Sequence, residues 1–251
     1  MVILVGGVSE LYQSDLDLGR RAAELLAAEA FGNHVLVEDL HYGAVAVAHR
    51  LAELRPSTLI LVGATPRART PGTVSRRRVA APSVDPVETQ IAVADAVVGY
   101  VDVDLVVRVA AGFGALPPRT VVIDAEPAAT SPSDRLTPAG EAALQEVVSL
   151  VRTEVRRTPL LELSDRLREL LGGRRLGPAP AVDALVSLLA ELEHLDRDGS
   201  WGAAFRERDR LRMRIADGLT GEGMDHLDWG LWWALIEELD RLQQLEAVDD
   251  L

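Results

Sequence analysis

The stretch that decides the fold is Met1–Gly19, MVILVGGVSELYQSDLDLG. It opens with an apolar run, Val2–Val5, that ends in two glycines and passes into a polar loop. A short apolar run closed by glycine is typical of a buried strand that feeds a loop. The apolar spacing over Leu18–Ala30 then predicts a helix. The chain therefore begins with a strand, a loop and a helix.

The same alternation continues through the first 157 residues. Strands are predicted at Val35–Val37, Thr58–Val62, Leu105–Val109 and Thr120–Ile123, and helices at Val45–Leu54, Thr89–Val98 and Ala139–Val155. Buried strands that alternate with helices indicate a mostly parallel sheet with helices on both faces. We therefore expect a three-layer α/β domain over residues 1–157. Residues 66–82, rich in Pro, Arg, Thr and Gly, are predicted to form a long excursion after the third strand.

Beyond residue 157 the strand pattern stops, and residues 158–251 are predicted to form an all-α C-terminal domain. This part of the chain holds all 4 tryptophans, and Trp229, Trp232 and Trp233 would share one helical face. Two interpretations stay open for that face. It is either the aromatic core of a small helical domain or a docking surface for a protein partner, where Trp is enriched.

Composition excludes several classes of function. The formal net charge of −13 argues against nucleic-acid binding, which needs a positive surface. The chain has 0 cysteines, so disulfides, Cys-ligated metals and a cysteine nucleophile are excluded. No apolar stretch has the length of a membrane span, and the N-terminus lacks the pattern of a signal peptide. The expected location is the cytoplasm.

Several weak motifs occur in an informative order. The first loop carries Gly7, Asp15 and Gly19, without the glycine spacing of a dinucleotide site. The third strand ends in Gly63-Ala64, the excursion contains Pro71-Gly72-Thr73-Val74, and Leu136-Thr137-Pro138 precedes the last helix of the domain. Taken together over roughly residues 1–156, these motifs resemble the hydrogenase maturation proteases, the endopeptidases that trim the C-terminus of the nickel–iron hydrogenase large subunit.

The resemblance implies a fold and a partner, but its metal-sensing residues are replaced. The family is thought to sense nickel through a carboxylate in the first loop, an aspartate after the third strand and a later histidine. Here the first two positions hold Leu16 and Gly63, and the third falls near Asp85 with no histidine. Leu and Gly side chains offer no ligand to nickel, which prefers imidazole and carboxylate.

Neighbouring residues offer a relocated metal site made of Asp15, Asp17, His41 and Asp85. Two of these residues have a plainer interpretation as well. Asp15 precedes a helix and suits its positive end, and His41 is a lone histidine of the kind that is commonly packed or solvated.

Three hypotheses about function follow. The first is a non-catalytic or altered maturation factor that binds a hydrogenase large subunit or an assembly factor, without a cofactor. The second is an active metal-dependent endopeptidase that uses the relocated ligands and nickel. The third is a small-molecule hydrolase or phosphorylase in which Ser9, Glu10 and the basic excursion Arg67–Arg78 hold an anionic ligand.

Overall fold

The computed structural model describes residues 2–79, 85–97 and 101–173. Their centre is a sheet of five strands in the order β2-β1-β3-β5-β4. The strands are β1 (Ile3–Gly7), β2 (Val35–Asp39), β3 (Thr58–Ala64), β4 (Val74–Arg78) and β5 (Arg119–Ala125). The strands β2, β1, β3 and β5 run parallel to one another, and β4 runs antiparallel to β5.

Helices cover both faces of the sheet, as the sequence predicts. They are α1 (Leu18–Ala27), α2 (Ala44–Leu54), α3 (Pro86–Val97), α4 (Val103–Gly112) and α5 (Pro138–Gly173), and a 3₁₀ turn at Ser14–Asp17 precedes α1. Side chains of α1 and α5 form one core with one face of the sheet, and those of α2, α3 and α4 form a second core with the other face. The three-layer α/β architecture is thus confirmed.

The two cores arise from the alternation of side chains along each strand. In β3, Ile60 and Val62 face α1 and α5, whereas Leu59 and Leu61 face the opposite helices. All 7 residues of β3 are buried, as they are in β5. Continuous apolar runs of this kind suit strands that are covered on both sides.

One predicted element has the wrong type. The run Leu105–Val109, predicted as a strand, lies inside helix α4. Asp102 accepts a hydrogen bond from the Leu105 amide at 2.7 Å and so caps the helix. Helix α4 packs on the sheet and also contacts α2 and α3, so it is apolar on nearly every side. An apolar run of this length has no polar residues at regular spacing, and such a pattern does not distinguish a helix from a strand.

The excursion after β3 contains a strand that sequence patterning does not predict. Pro71 and Gly72 form a turn, and Val74–Arg78 then pairs with β5 as an edge strand. Three consecutive arginines are atypical of a strand, yet charged side chains are a common feature of sheet edges. The helix predicted at Ala139–Val155 is present as part of α5.

The chain divides into two units, Met1–Val155 and Arg156–Leu251. The predicted boundary after residue 157 and the helical domain beyond it remain predictions, and Trp229, Trp232 and Trp233 lie outside the described residues. No helix of the described part of the chain has both the length and the apolar composition needed to cross a bilayer.

Candidate functional site

The carboxyl ends of β1 and β3 carry the first loop and the start of the excursion, side by side at one edge of the sheet. Glycines bring the backbones there into direct contact. A Cβ atom at Gly19 would lie 2.1 Å from the Val8 carbonyl oxygen and 2.7 Å from that of Val62, so no larger residue fits. The Val8 amide donates to the Val62 carbonyl at 2.7 Å. The matching glycines of the resemblance are therefore required by the packing of the loop.

Asp15 is a structural residue in this loop. Its side chain is buried, and its carboxylate accepts hydrogen bonds from the amides of Ala128 (2.8 Å), Ala129 (3.3 Å) and Thr137 (2.7 Å) and from the Thr137 hydroxyl (2.8 Å). The Thr137 hydroxyl in turn accepts from the Gly140 amide at 3.0 Å, which caps α5. Asp15 thus connects the first loop to the start of α5.

The other three residues of the predicted relocated metal site are also engaged. Asp17 pairs with Arg20 at the start of α1. His41 Nδ1 lies 2.9 Å from an Asp39 carboxylate oxygen. Asp85 accepts from the Val87 amide at 2.8 Å and so caps α3.

The structure does not gather Asp15, Asp17, His41 and Asp85 around one point. Within residues 2–79, 85–97 and 101–173, no three His, Asp or Glu side chains form a group that could hold a metal ion. Each of the four is instead bonded to a different partner segment.

The two positions that match the family's ligands do not suit a carboxylate. Leu16 belongs to the core beneath α1 and α5 and is 9% exposed. A Cβ atom at Gly63 would lie 2.9 Å from the Val8 carbonyl oxygen and 3.0 Å from a methyl group of Val103. The residues present here do not fit a nickel ion.

The arginines of the excursion bind carboxylates of the chain itself. Asp124 is fully buried and accepts from Arg67 Nε at 2.6 Å, from Arg69 at 3.2 Å and from the Ser75 hydroxyl at 2.5 Å. Arg76 pairs with Glu154 at 3.1 Å, and Arg77 pairs with Asp104. These ion pairs connect the excursion to β5, α4 and α5.

Glu126 completes this network directly after β5. It accepts two bonds from the Arg67 amide, at 2.9 and 3.1 Å, and one from Arg69 Nε at 3.3 Å. Burial alone would raise the pKa of Glu126, but the hydrogen bonds from Arg67 and Arg69 outweigh it and lower that pKa. Glu126 therefore stays ionised and holds the excursion in place.

A second set of polar groups lies at the same edge without such partners. Ser9 Oγ, Glu10 Oε1 and Thr65 Oγ1 are buried and form no hydrogen bond with any described residue. Burial raises the pKa of Glu10, and the nearby Asp102 carboxylate raises it further. Sequence patterning singles out Ser9 and Glu10 but misses Thr65 and Asp102. The available signals were the position of Thr65 directly after a buried strand and a capping residue at Asp102.

Neither a family model nor a curated protein matches this sequence. Among solved structures, hydrogenase 2 maturation peptidase from Thaumarchaeota archaeon SCGC_AB-539-E09 is similar, with 23% identity over 60% of this chain and 95% of that chain and a TM-score of 0.44. Hydrogenase maturating endopeptidase HybD from E. coli has 21% identity over 63% of this chain and 94% of that chain, with a TM-score of 0.48.

A third similar structure is the [NiFe] hydrogenase maturation protease HycI from Thermococcus kodakarensis KOD1. It has 14% identity over 60% of this chain and 89% of that chain, with a TM-score of 0.43. The alignment covers 89% or more of each of these three solved chains.

Proposed function

We propose that this protein is a hydrogenase maturation or assembly factor that binds its partner without cleaving it. The motifs of the first loop, the Pro-Gly-Thr-Val excursion and the Leu-Thr-Pro helix start resemble those of the maturation endopeptidases. The partner is then a nickel–iron hydrogenase large subunit or a factor that assembles with it. The chain acts as a binding scaffold at the stage when the large subunit matures.

The observation that carries the non-catalytic part of the proposal is the packing at Leu16 and Gly63. A metal peptidase needs ligands that project into the cleft where the substrate binds. At residue 16 the side chain is part of the core, and at residue 63 a Cβ atom would collide with the Val8 backbone. A carboxylate at residue 16 would therefore be buried among apolar side chains, and one at residue 63 would require the loop to move.

The available neighbour, Asp15, is committed elsewhere. A carboxylate that accepts several hydrogen bonds in a buried place would have to give them up to bind a cation. Four donors hold Asp15 in its present position. Because Asp15 already accepts these hydrogen bonds, the first loop favours a scaffold over a metal-dependent peptidase.

The proposal is tested with the large-subunit precursor of the organism that encodes this chain. The purified full-length protein is mixed with the precursor, with and without nickel, and the mixture is followed by size-exclusion chromatography and intact mass spectrometry. We expect a stable complex in which the precursor keeps its full mass. Removal of a C-terminal peptide would refute the non-catalytic proposal, and absence of any complex would refute the maturation role.

The relocated-ligand peptidase stays as the alternative proposal, and metal titration decides it. Calorimetry with nickel and with zinc on the full chain is compared between the wild type and the variant His41→Ala. Tight binding of about one metal per chain that is lost in the variant would favour the peptidase. We expect neither.

The hydrolase or phosphorylase hypothesis needs arginines that are available to an anionic ligand. Arg67, Arg69, Arg76 and Arg77 are each bonded to carboxylates of the chain. An anion would have to displace those bonds, and the overall charge of −13 opposes its approach. No observation favours this third function over the first.

A further inference from the structure

A groove lies between α1 and α5, the two helices that cover one face of the sheet. Its volume is about 510 Å³, which lies within the range of about 300–1,000 Å³ that is common for binding clefts. The loop 134–136 contributes a third wall. The groove is therefore formed by three segments that are distant in sequence and meet at the surface.

The two helices line the groove with the same spacing of residues. In each helix the lining residues are at positions i, i+3 and i+4, and they are Arg21, Glu24 and Leu25 on α1 and Glu141, Leu144 and Gln145 on α5. Residues with this spacing lie on one face of a helix. Each of the two walls therefore presents a leucine together with a glutamate.

The bottom of the groove is apolar. Leu144 is 5% exposed and belongs to the core beneath α1 and α5, and Leu136 packs against the same core. Leu25 differs from its neighbour Leu26, because Leu26 is fully buried whereas Leu25 is 44% exposed. An apolar side chain that enters the groove would remove the surface of Leu25 from water, which is favourable.

Hydrogen bonds within the chain hold the walls in place. The Arg21 guanidinium donates to the Asp134 carbonyl at 2.8 Å, which connects α1 to the loop. The Arg135 amide donates to the Ser133 hydroxyl at 3.0 Å, and the Thr137 hydroxyl caps α5. Because these walls are already ordered, the groove loses little conformational entropy when it binds a partner.

The charges on the α1 wall balance one another. Arg20 and Arg21 both form ion pairs with Asp17 and Glu24. The side chain of Glu24 is 53% exposed, and ion pairs at exposed carboxylates are weak. Glu24 is therefore able to bind a basic group of a partner in place of an arginine of its own helix.

The other charged residues that line the groove are negative in sum. They are the carboxylates of Asp134 and Glu141 and the guanidinium of Arg135, so two negative charges and one positive charge leave one negative charge. Glu24 and Glu141 belong to opposite walls. Charge complementarity therefore favours a ligand that carries positive groups on both sides of an apolar part.

We propose that this groove binds a short segment of a protein partner in which leucine-like side chains are flanked by lysine or arginine. The apolar side chains cover Leu25 and Leu136, and the basic side chains reach Glu24 and Glu141. Since the rim is exposed at Glu24 and Leu25, the main chain of a segment can pass along the groove. The inference rests on the proposed function only for the identity of the partner, and its test uses peptides alone.

The test is a titration of peptides into the full-length protein, labelled with ¹³C in the leucine methyl groups, at neutral pH and low salt. The probe is acetyl-Lys-Leu-Leu-Lys-amide. Acetyl-Glu-Leu-Leu-Glu-amide reverses its charge, and acetyl-Lys-Ser-Ser-Lys-amide removes its apolar part. We expect saturable shifts of the Leu25 and Leu136 methyl signals with the probe and binding that is weaker by about tenfold with either control peptide.

Two variants test the two kinds of contact. Glu141→Gln should weaken binding of the probe about threefold, because it removes one exposed charge pair. Leu25→Ala should weaken it about fivefold, because less apolar surface is covered. The matched controls Glu146→Gln on α5 and Ile91→Ala on α3 change exposed residues that do not line the groove, and both should bind like the wild type. Urea unfolding of each variant checks that the fold is intact.

A parallel titration with L-leucinamide distinguishes a protein segment from a small cationic ligand. Weaker binding of L-leucinamide than of the probe supports the segment, and equal or tighter binding overturns it. The inference is also overturned if the probe gives no saturable shift, if the glutamate peptide binds equally well, or if Glu141→Gln and Leu25→Ala both bind like the wild type. None of these results changes the outcome of mixing the protein with the hydrogenase precursor, so either proposal can fail alone.

Discussion

The role assigned to Asp15 can be tested by removing its carboxylate. In Asp15→Ala, the amides of Ala128, Ala129 and Thr137 and the Thr137 hydroxyl all lose their acceptor. Each buried donor without an acceptor costs about 1–3 kcal/mol. Because the loop can relax and water can enter, the costs do not add in full. We expect a loss of about 3–5 kcal/mol in the free energy of unfolding.

Asp15→Asn tests the same role with a smaller change. One carboxylate oxygen accepts from the amides of Ala128 and Ala129 and from the Thr137 hydroxyl, and the other accepts from the Thr137 amide at 2.7 Å. The asparagine can keep the first oxygen, but its NH₂ group then faces the amide of Thr137. A donor that faces a donor leaves both unsatisfied, and we expect a loss of about 2 kcal/mol.

The assay is urea unfolding of the full-length protein, followed by far-UV circular dichroism at neutral pH. Hydrogen exchange of residues 128–141, measured by mass spectrometry, adds a local readout where the donors lie. Protection there should fall before protection in β3 does. Glu24→Gln provides the matched control, because an exposed carboxylate on α1 should contribute less than about 1 kcal/mol.

A clear result would refute this reasoning. If Asp15→Ala lost less than about 1 kcal/mol, as the control is expected to do, the four donors would have other acceptors available. Asp15 would then be free to bind a cation, and the relocated metal site would regain its strongest member. A large loss with unchanged m-value would place Asp15 among the residues that hold the fold.

Three further predictions concern the same edge of the sheet. Gly19→Ala should destabilise the protein by more than about 2 kcal/mol in urea unfolding, since its Cβ would collide with two backbone carbonyls. Asp124→Asn should cost about 2–4 kcal/mol, because a fully buried acceptor of three hydrogen bonds is altered beside two arginines; a loss of under 0.5 kcal/mol would contradict the network. The lowered pKa of Glu126 contributes stability above the ordinary glutamate value of 4.5 that is lost as the pH falls below it. The stability difference between the wild type and Glu126→Gln should therefore shrink on going from pH 7 to about pH 3, and a constant difference would show that folding does not lower the pKa of Glu126.

Much of the α/β layering could be predicted from the sequence because local and global signals agree there. The runs at Ile3, Leu59 and Val121 are apolar, short and closed by turn residues, and buried parallel strands need nothing more. The glycines of the first loop were predictable for a related reason. Where two backbones touch, as at Gly19, only a residue without a side chain fits.

Helix α4 and strand β4 were not predictable, and each failure has a physical cause. An apolar helix that packs on several neighbours carries no polar stripe, so its period is hidden. Strand β4 has the opposite problem, because its arginines suggest solvent. What places them in a sheet is their pairing with Asp104 and Glu154, which lie 27 and 78 residues further along the chain. No local pattern reveals partners at that distance.

The candidate site was predictable only in part. Ser9 and Glu10 follow a strand and a glycine pair, which places them at the carboxyl end of β1. Thr65 and Asp102 join them only through the strand order and the position of α4. Asp15 accepts its hydrogen bonds from the segment 128–137, for which the sequence pattern predicts no helix or strand. Sequence therefore indicated where the site lies but not which carboxylates were available in it.

The first loop shows why a displaced carboxylate does not replace a lost ligand. Asp15, Leu16 and Asp17 lie in a 3₁₀ turn, in which successive side chains diverge by about 120°. Asp15 therefore contacts the start of α5, Leu16 enters the core and Asp17 pairs with Arg20. A shift of one residue along such a turn changes the partner of a side chain completely, so neither aspartate can take over the role that position 16 has in the peptidases.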